Sequence, residues 1–402
     1  PVVAVNNSDG ERLKAAAGEQ VTLRVQLEEG WYRCKLPVAR IGGASDEFML
    51  VHGHYDSWDV GIGDNAVGDA TLLELARIFQ NARQELDRSL WIAWWPGHST
   101  GRYAGSTWFA DEFALDLRKR CVGAINIDSP GCWHATEYDD VMWMAEAGPL
   151  CSKAIKDTTG KTAQRLRPLR AGDYSFNQIG LTSFYMLLSN IPAGERDALG
   201  FYPTGGCGGN IAWHTEDDLM DVAERPNLER DLRVYVASIA RVLNAWVLPY
   251  DFRETVAELA EQMVAYVTLS KGYLDLSRAE DELKELSVVL DDLYAGIDLP
   301  DVGSDEACLL NDLFIELARI LVPIGYAEGG SFDHDPALPR MPIPRLARIQ
   351  ELEQTAVEFS DQLPFLVNEL GREVNYVANG FYEAAQAVRR VGNKMTPAHP
   401  TG

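Results

Sequence analysis

The chain has 402 residues, 46% of them hydrophobic, with 36 lysines and arginines against 60 aspartates and glutamates and a formal net charge of −24. Such an acidic surface repels phosphate and excludes nucleic acid as an expected partner. No apolar run reaches the length of a membrane span, and six cysteines without regular spacing fit mostly free thiols. The length suits two or three domains, and the compartment, cytoplasmic or secreted, stays open.

In chain order, residues 1–30 predict a strand at Val2 to Val5, a turn at Ser8 to Gly10, a short helix, and an alternating strand at Val21 to Val25. This is too small to fold alone. A strand from Leu36 to Ile41 and a Gly42-Gly43 turn lead into the stretch around which the chain is organised, Phe48 to Ala76. It opens as a short buried strand, Phe48 to Val51. It closes as a helix, Asp69 to Arg83, with an apolar stripe at Leu72, Leu73, Leu75, Ala76, Ile78 and Phe79. Between them lie two histidines and four aspartates in a glycine-rich turn. The helix crosses to a second buried strand, Leu90 to Trp95, making a βαβ unit with parallel strands. Further strands are predicted at Val122 to Ile127 and Val141 to Ala145, and a helix near Leu150 to Thr158. From about Pro249 the pattern turns helical: Glu254 to Lys271, Ser277 to Tyr294, Ala307 to Val322, and a long segment from Ile343 to Val391.

The chemistry concentrates at strand ends, where open α/β sheets carry their sites. His54 and Asp56 form an H-x-D pair. Residues i and i+2 of a strand share a face, so the Asp56 carboxylate is expected to orient the His54 ring. Asp64 follows in Gly-Asp-Asn, and an imidazole with a carboxylate on a glycine-rich loop suits a borderline cation such as Zn²⁺.

The pattern G-H-x-D-S-W, then G-x-D-N-x-x-G, resembles the M28 family of metallopeptidases, which contains di-zinc aminopeptidases and glutamate-carboxypeptidase-like enzymes. The resemblance covers roughly residues 31–248. It implies that His54 binds one zinc and that Asp64 bridges two. Asp128, in Asn126-Ile127-Asp128-Ser129, would complete the first site, and His214, in His214-Thr215-Glu216-Asp217-Asp218, would serve the second. Where the family carries two adjacent glutamates, one a base that activates water and the other a ligand, this chain reads Pro96-Gly97-His98-Ser99. His98 can replace a carboxylate as a neutral ligand, and it is assigned to the second metal with His214. It is also a candidate substitute base beside Glu216. Arg102, Tyr103, Asp173 and Trp213 are expected to contact substrate. Residues 165–187 resemble the family's S-D-x-x-x-F segment, with Asp173 and Phe176 at its fixed positions, and Arg165, Arg167 and Arg170 could grip a carboxylate.

The expected architecture is therefore an α/β fold, a mostly parallel twisted sheet flanked by helices (31–248), followed by a helical region (249–402) and preceded by a remnant of a protease-associated-like domain (1–30). The helical region resembles the dimerisation domain of glutamate-carboxypeptidase and transferrin-receptor proteins and implies a homodimer. An upstream segment before Pro1 is also expected. The function implied is zinc-dependent hydrolysis, with one or two ions, of peptide or other amide bonds. Two alternatives stand beside it. One is a catalytically silent binding or scaffold protein. The other is a serine hydrolase, because Gly97-His98-Ser99-Thr100-Gly101 matches G-x-S-x-G after a strand, with Asp128 and His214 following in Ser…Asp…His order.

Overall fold

The computed structural model describes residues 3–168, 175–297, 302–336 and 338–395. Residues 1–35 and 36–402 form separate compact units. In the first, the expected helix is present as α1 (Asn7–Ala15), with the Asn6 side chain accepting from the Asp9 amide. The predicted Ser8 to Gly10 turn is its first turn. The expected strand at Val21 to Val25 does not form, nor does one over residues 3–5. Val21, Leu23, Val25 and Leu27 are exposed, so the alternation that predicts a strand has no partner to pair with here.

The second unit is built on a sheet of β1 (Val38–Ile41), β2 (Phe48–His54), β3 (Ser89–Trp95), β4 (Cys121–Asn126) and β7 (Ser183–Phe184), in the order β1-β3-β2-β4-β7. β1 is antiparallel to β3 and the other pairs are parallel. Every residue of β2 is buried, as a central strand covered on both faces must be. Alternation divides its side chains between two cores. Met49 and Val51 join Leu72, Leu75 and Phe79 of α2 (Val67–Asn81). Phe48 and Leu50 pack with Trp91, Trp95, Phe109 and Leu117, the last two from α3 (Ala104–Glu112) and α4 (Ala114–Arg120). The chain leaves β2 for β3 on one side and returns to β4 on the other. The carboxyl ends of β2 and β4 therefore flank the point where the strand order reverses, where such sheets leave a crevice.

The predicted strand at Val141 to Ala145 is shorter, β5 (Val141–Met142), paired with β6 (Arg165–Leu166) in a separate two-stranded sheet. Around these lie α5 (Gly148–Thr159), α6 (Ala193–Leu199) and α7 (Arg225–Leu243). The helical region comprises α8 (Phe252–Ser270), α9 (Ser277–Ala295), α10 (Ser304–Tyr326), α11 (Leu352–Glu358) and α12 (Leu363–Met395). The long predicted segment from Ile343 is thus three pieces, beginning with a 3-10 helix at Pro344–Glu351. One continuous core runs from Met49 and Ile125 of the sheet through Phe252, Leu317 and Phe381 of these helices. Arg319 of α10 joins the two regions directly. Its guanidinium donates to the carbonyls of Leu117, Arg118, Cys121 and Gly180 at 2.5–3.0 Å, and burial pushes its pKa down to about 10. No helix among the described residues is long and apolar enough to cross a membrane.

A buried histidine beneath the crevice makes the fold acid-sensitive. Trp95 Nε1 donates to His52 Nδ1 at 3.0 Å, which leaves the ring proton on Nε2. Burial, opposed by Asn126 beside it, pushes the His52 pKa down to about 3. The unfolded chain therefore binds a proton below the ordinary histidine range that the folded chain refuses. Stability from this residue is fully present above about pH 6.5 and is lost as pH falls toward 3, at up to about 1.4 kcal/mol per pH unit. His52→Gln is expected to flatten the dependence of unfolding free energy on pH between about pH 4 and 6. Urea titrations at several pH values read this, and an unchanged slope would show that His52 is not the group responsible.

Candidate active site

β2 delivers His54 as its last residue, buried, with Nδ1 hydrogen-bonded to the backbone carbonyl of Asp56 at 2.8 Å. This corrects the expected role of Asp56. Its carboxylate lies 3.9 Å from the ring and instead accepts the amides of His98, Ser99 and Thr100 at 2.9, 2.9 and 3.4 Å. A carbonyl orients His54, and the Asp56 carboxylate holds the loop that carries His98.

Asp64 sits in the turn Ile62–Ala66 before α2. Two neighbouring features, to which the sequence reading gave no role, hold it. Asp218, buried, accepts the amides of Gly63 and Asp64 at 2.6 and 2.9 Å. Asn65 donates to the carbonyls of His54 and Ile127 and accepts the Ser129 amide at 3.0 Å, stitching the ends of β2 and β4 together. The glycines of the motif make room for it: a Cβ on Gly68 would lie 2.1 Å from Asn65 Oδ1, and one on Gly53 would lie 2.6 Å from the Ile127 carbonyl. The H-x-x-x-D and D-N-x-x-G spacings were the available signals, but only the fold shows that they meet.

The Asp64 carboxylate spans two imidazoles, with Oδ1 2.9 Å from His54 Nε2 and Oδ2 2.9 Å from His214 Nε2. Asp128, at the end of β4, reaches His54 Nε2 at 3.5 Å and accepts from Ser129 Oγ. The His98 ring stacks on His54 with centroids 4.0 Å apart and 7° between planes. Ligand atoms of His54, His98 and Asp128 all lie within 4.8 Å of one another. His98 therefore groups with the His54–Asp128 pair, not with His214 as expected, because the loop fixed by Asp56 carries it over His54. His214 is flanked instead by Trp213, stacked at 3.7 Å, and Trp58, tilted at 5.5 Å.

Electrostatics fit this arrangement. Burial works to raise Asp64, but the His214 and His54 contacts outweigh it and hold the carboxyl well below its usual range. Burial and the Asp64 charge raise Asp128. For His54, burial opposes the proton, while Asp128 and Asp64 favour it and raise the ring well above an ordinary histidine. Burial and then the His54 charge push His98 well below, leaving a neutral imidazole. Asp69, on the first turn of α2, is raised to about 7 by burial, opposed by His54 and aided by Asp56.

The site opens into a cavity of about 250 Å³ whose walls include Trp58, Arg102, Tyr103, Met186, Leu187 and Trp213. Three of the four expected substrate contacts, Arg102, Tyr103 and Trp213, thus line it. The fourth, Asp173, and Arg170 lie outside the described residues. Arg165 and Arg167 do not line this cavity. Both pair with Glu258 of α8.

The serine arrangement is not present. Ser99 Oγ is buried without a hydrogen-bond partner, and His214 pairs with Asp64 and not with Asp128. Ser99 is absent from the positive-φ residues, whereas Gly97, Arg102 and Tyr103 carry that conformation, so the strained nucleophile turn is missing.

Nε2 of His54 lies close to two carboxylates, yet it has no hydrogen-bond partner. A buried ring nitrogen and two carboxylates that converge on one point are a donor set that suits a divalent cation. An open α/β sheet with imidazoles and carboxylates at the switch-point strand ends places this candidate metal site where such folds carry their ligands. The sequence description of Peptidase family M28 matches residues 38–238, half of the chain, and the chain belongs to this family. It is 24% identical over 264 residues to a protein named inactive zinc metalloprotease of Schizosaccharomyces pombe, covering 62% of this chain and 32% of that one. Identity to a probable glutamate carboxypeptidase of Zea mays is 24% over 324 residues, covering 72% and 42%. A glutamate carboxypeptidase 2 homolog of Caenorhabditis elegans is 31% identical over 156 residues, covering 37% and 20%. The chain thus spans less than half the length of each of these relatives. Among solved structures, a zinc aminopeptidase from Bacillus subtilis aligns with a TM-score of 0.43 at 18% identity, covering 52% of this chain and 50% of that chain.

Proposed function

We propose that this chain is a zinc-dependent hydrolase of peptide or other amide bonds with an exopeptidase-like site. The observation that carries the reading is the Asp64 carboxylate held 2.9 Å from both His54 and His214, the position of a group shared between two ions. His54, Asp128 and His98 would hold one ion, and Asp64 and His214 the other. When bound, such ions supply Lewis acidity that polarises a carbonyl and acidifies water. The chain's own residues do the rest. Asp218 and Asn65 fix Asp64, Asp56 fixes the His98 loop, and the rings of Trp58 and Trp213 pack against His214. The small cavity fits one terminal residue of a substrate.

His98 stays neutral, which suits a ligand and makes it a weak proton acceptor. No glutamate lines the cavity among the described residues, and Gly97, where the family pattern has a glutamate, carries no base. Losing a positioned base costs typically about 10²–10⁴-fold in rate, so turnover is expected to be slow. The same observation favours a second reading, a silent metal-binding protein, which the relative named inactive also supports.

Elemental analysis of the purified protein, combined with a panel of aminoacyl and C-terminal peptide amide substrates, tests both. His54→Ala and His214→Ala are each expected to lower bound zinc, and Ser99→Ala to leave any hydrolysis intact. Failure to bind zinc even when it is supplied would end both readings. Zinc-loaded protein that hydrolyses nothing above background would leave the silent one. Assembly as a homodimer through the helical region belongs to the same proposal. Exposed Val357, Phe359, Phe365, Tyr376 and Tyr382 on and around α11 and α12 provide apolar surface, and sedimentation at the monomer mass would count against it.

A further inference from the structure

Two thiols that the hydrolytic site does not use lie directly behind it. Cys132 and Cys207 are both fully buried, share one small cluster with Ala135, Ala212 and Val222, and lie close enough that the Cys132 thiol raises that of Cys207. Each belongs to a loop that carries a proposed ligand. Cys132 follows Asp128, and its Sγ donates to the Ser129 carbonyl at 3.4 Å, while Ser129 Oγ donates to Asp128. Cys207 sits in the glycine-rich loop that leads to His214. Its Sγ lies 3.8 Å from Oδ2 of Asp218, the carboxylate that holds the Gly63 and Asp64 amides. One buried point therefore touches the loops of Asp64, Asp128 and His214.

We propose that Cys132 and Cys207 are a cross-linking site, oxidised to a disulfide that staples the Asp128 loop to the loop before His214. The oxidant is a small-molecule disulfide of the glutathione type. One protein thiolate attacks it and releases one glutathione, and the second thiolate attacks the resulting mixed disulfide and releases the other. Two protein thiols lose two electrons and two protons, and one oxidised glutathione becomes two reduced molecules. A disulfide holds its two sulfurs about 2.05 Å apart, closer than two packed thiols. Gly205, Gly206, Gly208 and Gly209 around Cys207 give its backbone the freedom to close that gap. The remaining cysteines are placed differently: Cys34 and Cys308 are exposed, Cys121 bonds the Gly123 carbonyl, and Cys151 lies under Tyr185. The neighbouring Cys132 thiol, then burial and the Asp218 and Asp64 charges, keep Cys207 a thiol, so the reaction proceeds slowly, through opening of the loop or during folding.

The test refolds the full chain in glutathione buffers from fully reduced to fully oxidised, quenches with acid, denatures, alkylates and weighs the intact protein. Of six cysteines, all six take up label in the reduced sample, and four are expected to do so in the oxidised one. Digestion should then yield one linked peptide pair, Cys132 with Cys207. Closing a loop of about 75 residues should raise the melting temperature by roughly 5–10 °C. Six labelled cysteines throughout, glutathione adducts without a protein cross-link, a different pair, or a cross-link with no rise in melting temperature would each overturn the proposal. Cys132→Ala should label all its cysteines in both buffers. Because the wild-type mass and peptide map decide the matter alone, a variant that fails to fold does not block the test. None of these readouts depends on zinc or hydrolysis, so failure here and failure of the hydrolase reading are separate results.

Discussion

Asp64→Asn is expected to weaken zinc binding by more than about 100-fold, beyond the 10–100-fold typical of losing a group that only supports a ligand. The reason is geometric. Both Asp64 oxygens face imidazole nitrogens at 2.9 Å, so one substitution takes the shared negative charge from both halves of the site and an oxygen donor from one of them. Asparagine keeps the shape, and the Asp218 hydrogen bonds go to backbone amides that the substitution leaves untouched. Competition against a chromophoric chelator measures the affinity, with a thermal melt of the metal-free variant as a folding control. An affinity within a few-fold of wild type would remove Asp64 from the site. It would also leave the convergence of His54 and His214 on it as a charge pair with no metal role.

The second large effect concerns how the helical region is joined to the sheet. Arg319→Met is expected to lower the unfolding free energy by roughly 3 kcal/mol, since it leaves buried carbonyls unpaired, even after the gain from removing a buried charge. The carbonyls of Leu117, Arg118, Cys121 and Gly180 lose the guanidinium, Leu117 alone of them keeping a helix-end partner in the Cys121 amide, and α4, β4 and the turn before β7 lose their common tie to α10. The urea midpoint reads the change at constant slope. A loss smaller than about 1 kcal/mol, the worth of an ordinary hydrogen bond, would show that water replaces the guanidinium and that the tie contributes little.

Much of the site was legible because its elements are local. The apolar run at Phe48 and the stripe on α2 carry the periodicities of a strand and a helix, and the glycines, histidines and aspartates between them are consecutive in the chain. Asp128 and His214 were legible only through the family pattern, since no local rule distinguishes a ligand from a turn residue in Asp-Ser-Pro-Gly. The role of Asp56 was misread because alternation says which face a side chain takes and not what comes to meet it. The His98 loop arrives from β3, and its free amides attract the carboxylate more strongly than an imidazole already bonded to a carbonyl. His98 was placed with the wrong partner for the same reason.

By itself, the amino-acid sequence determined the buried central strand, the βαβ unit, the helical character after residue 249 and the identity of the histidines and aspartates at the strand ends, because hydrophobic period and turn chemistry are short-range properties. Only the tertiary structure decided which of those groups converge. It showed that Asp64 spans His54 and His214, that Asp218 and Asn65 hold it there, that Ser99 has no base, and that Cys132 and Cys207 share one buried cluster behind the site. Those facts depend on loops from separate strands being packed against one another by cores that the sheet divides, and no local pattern encodes the distance between residues brought together in that way.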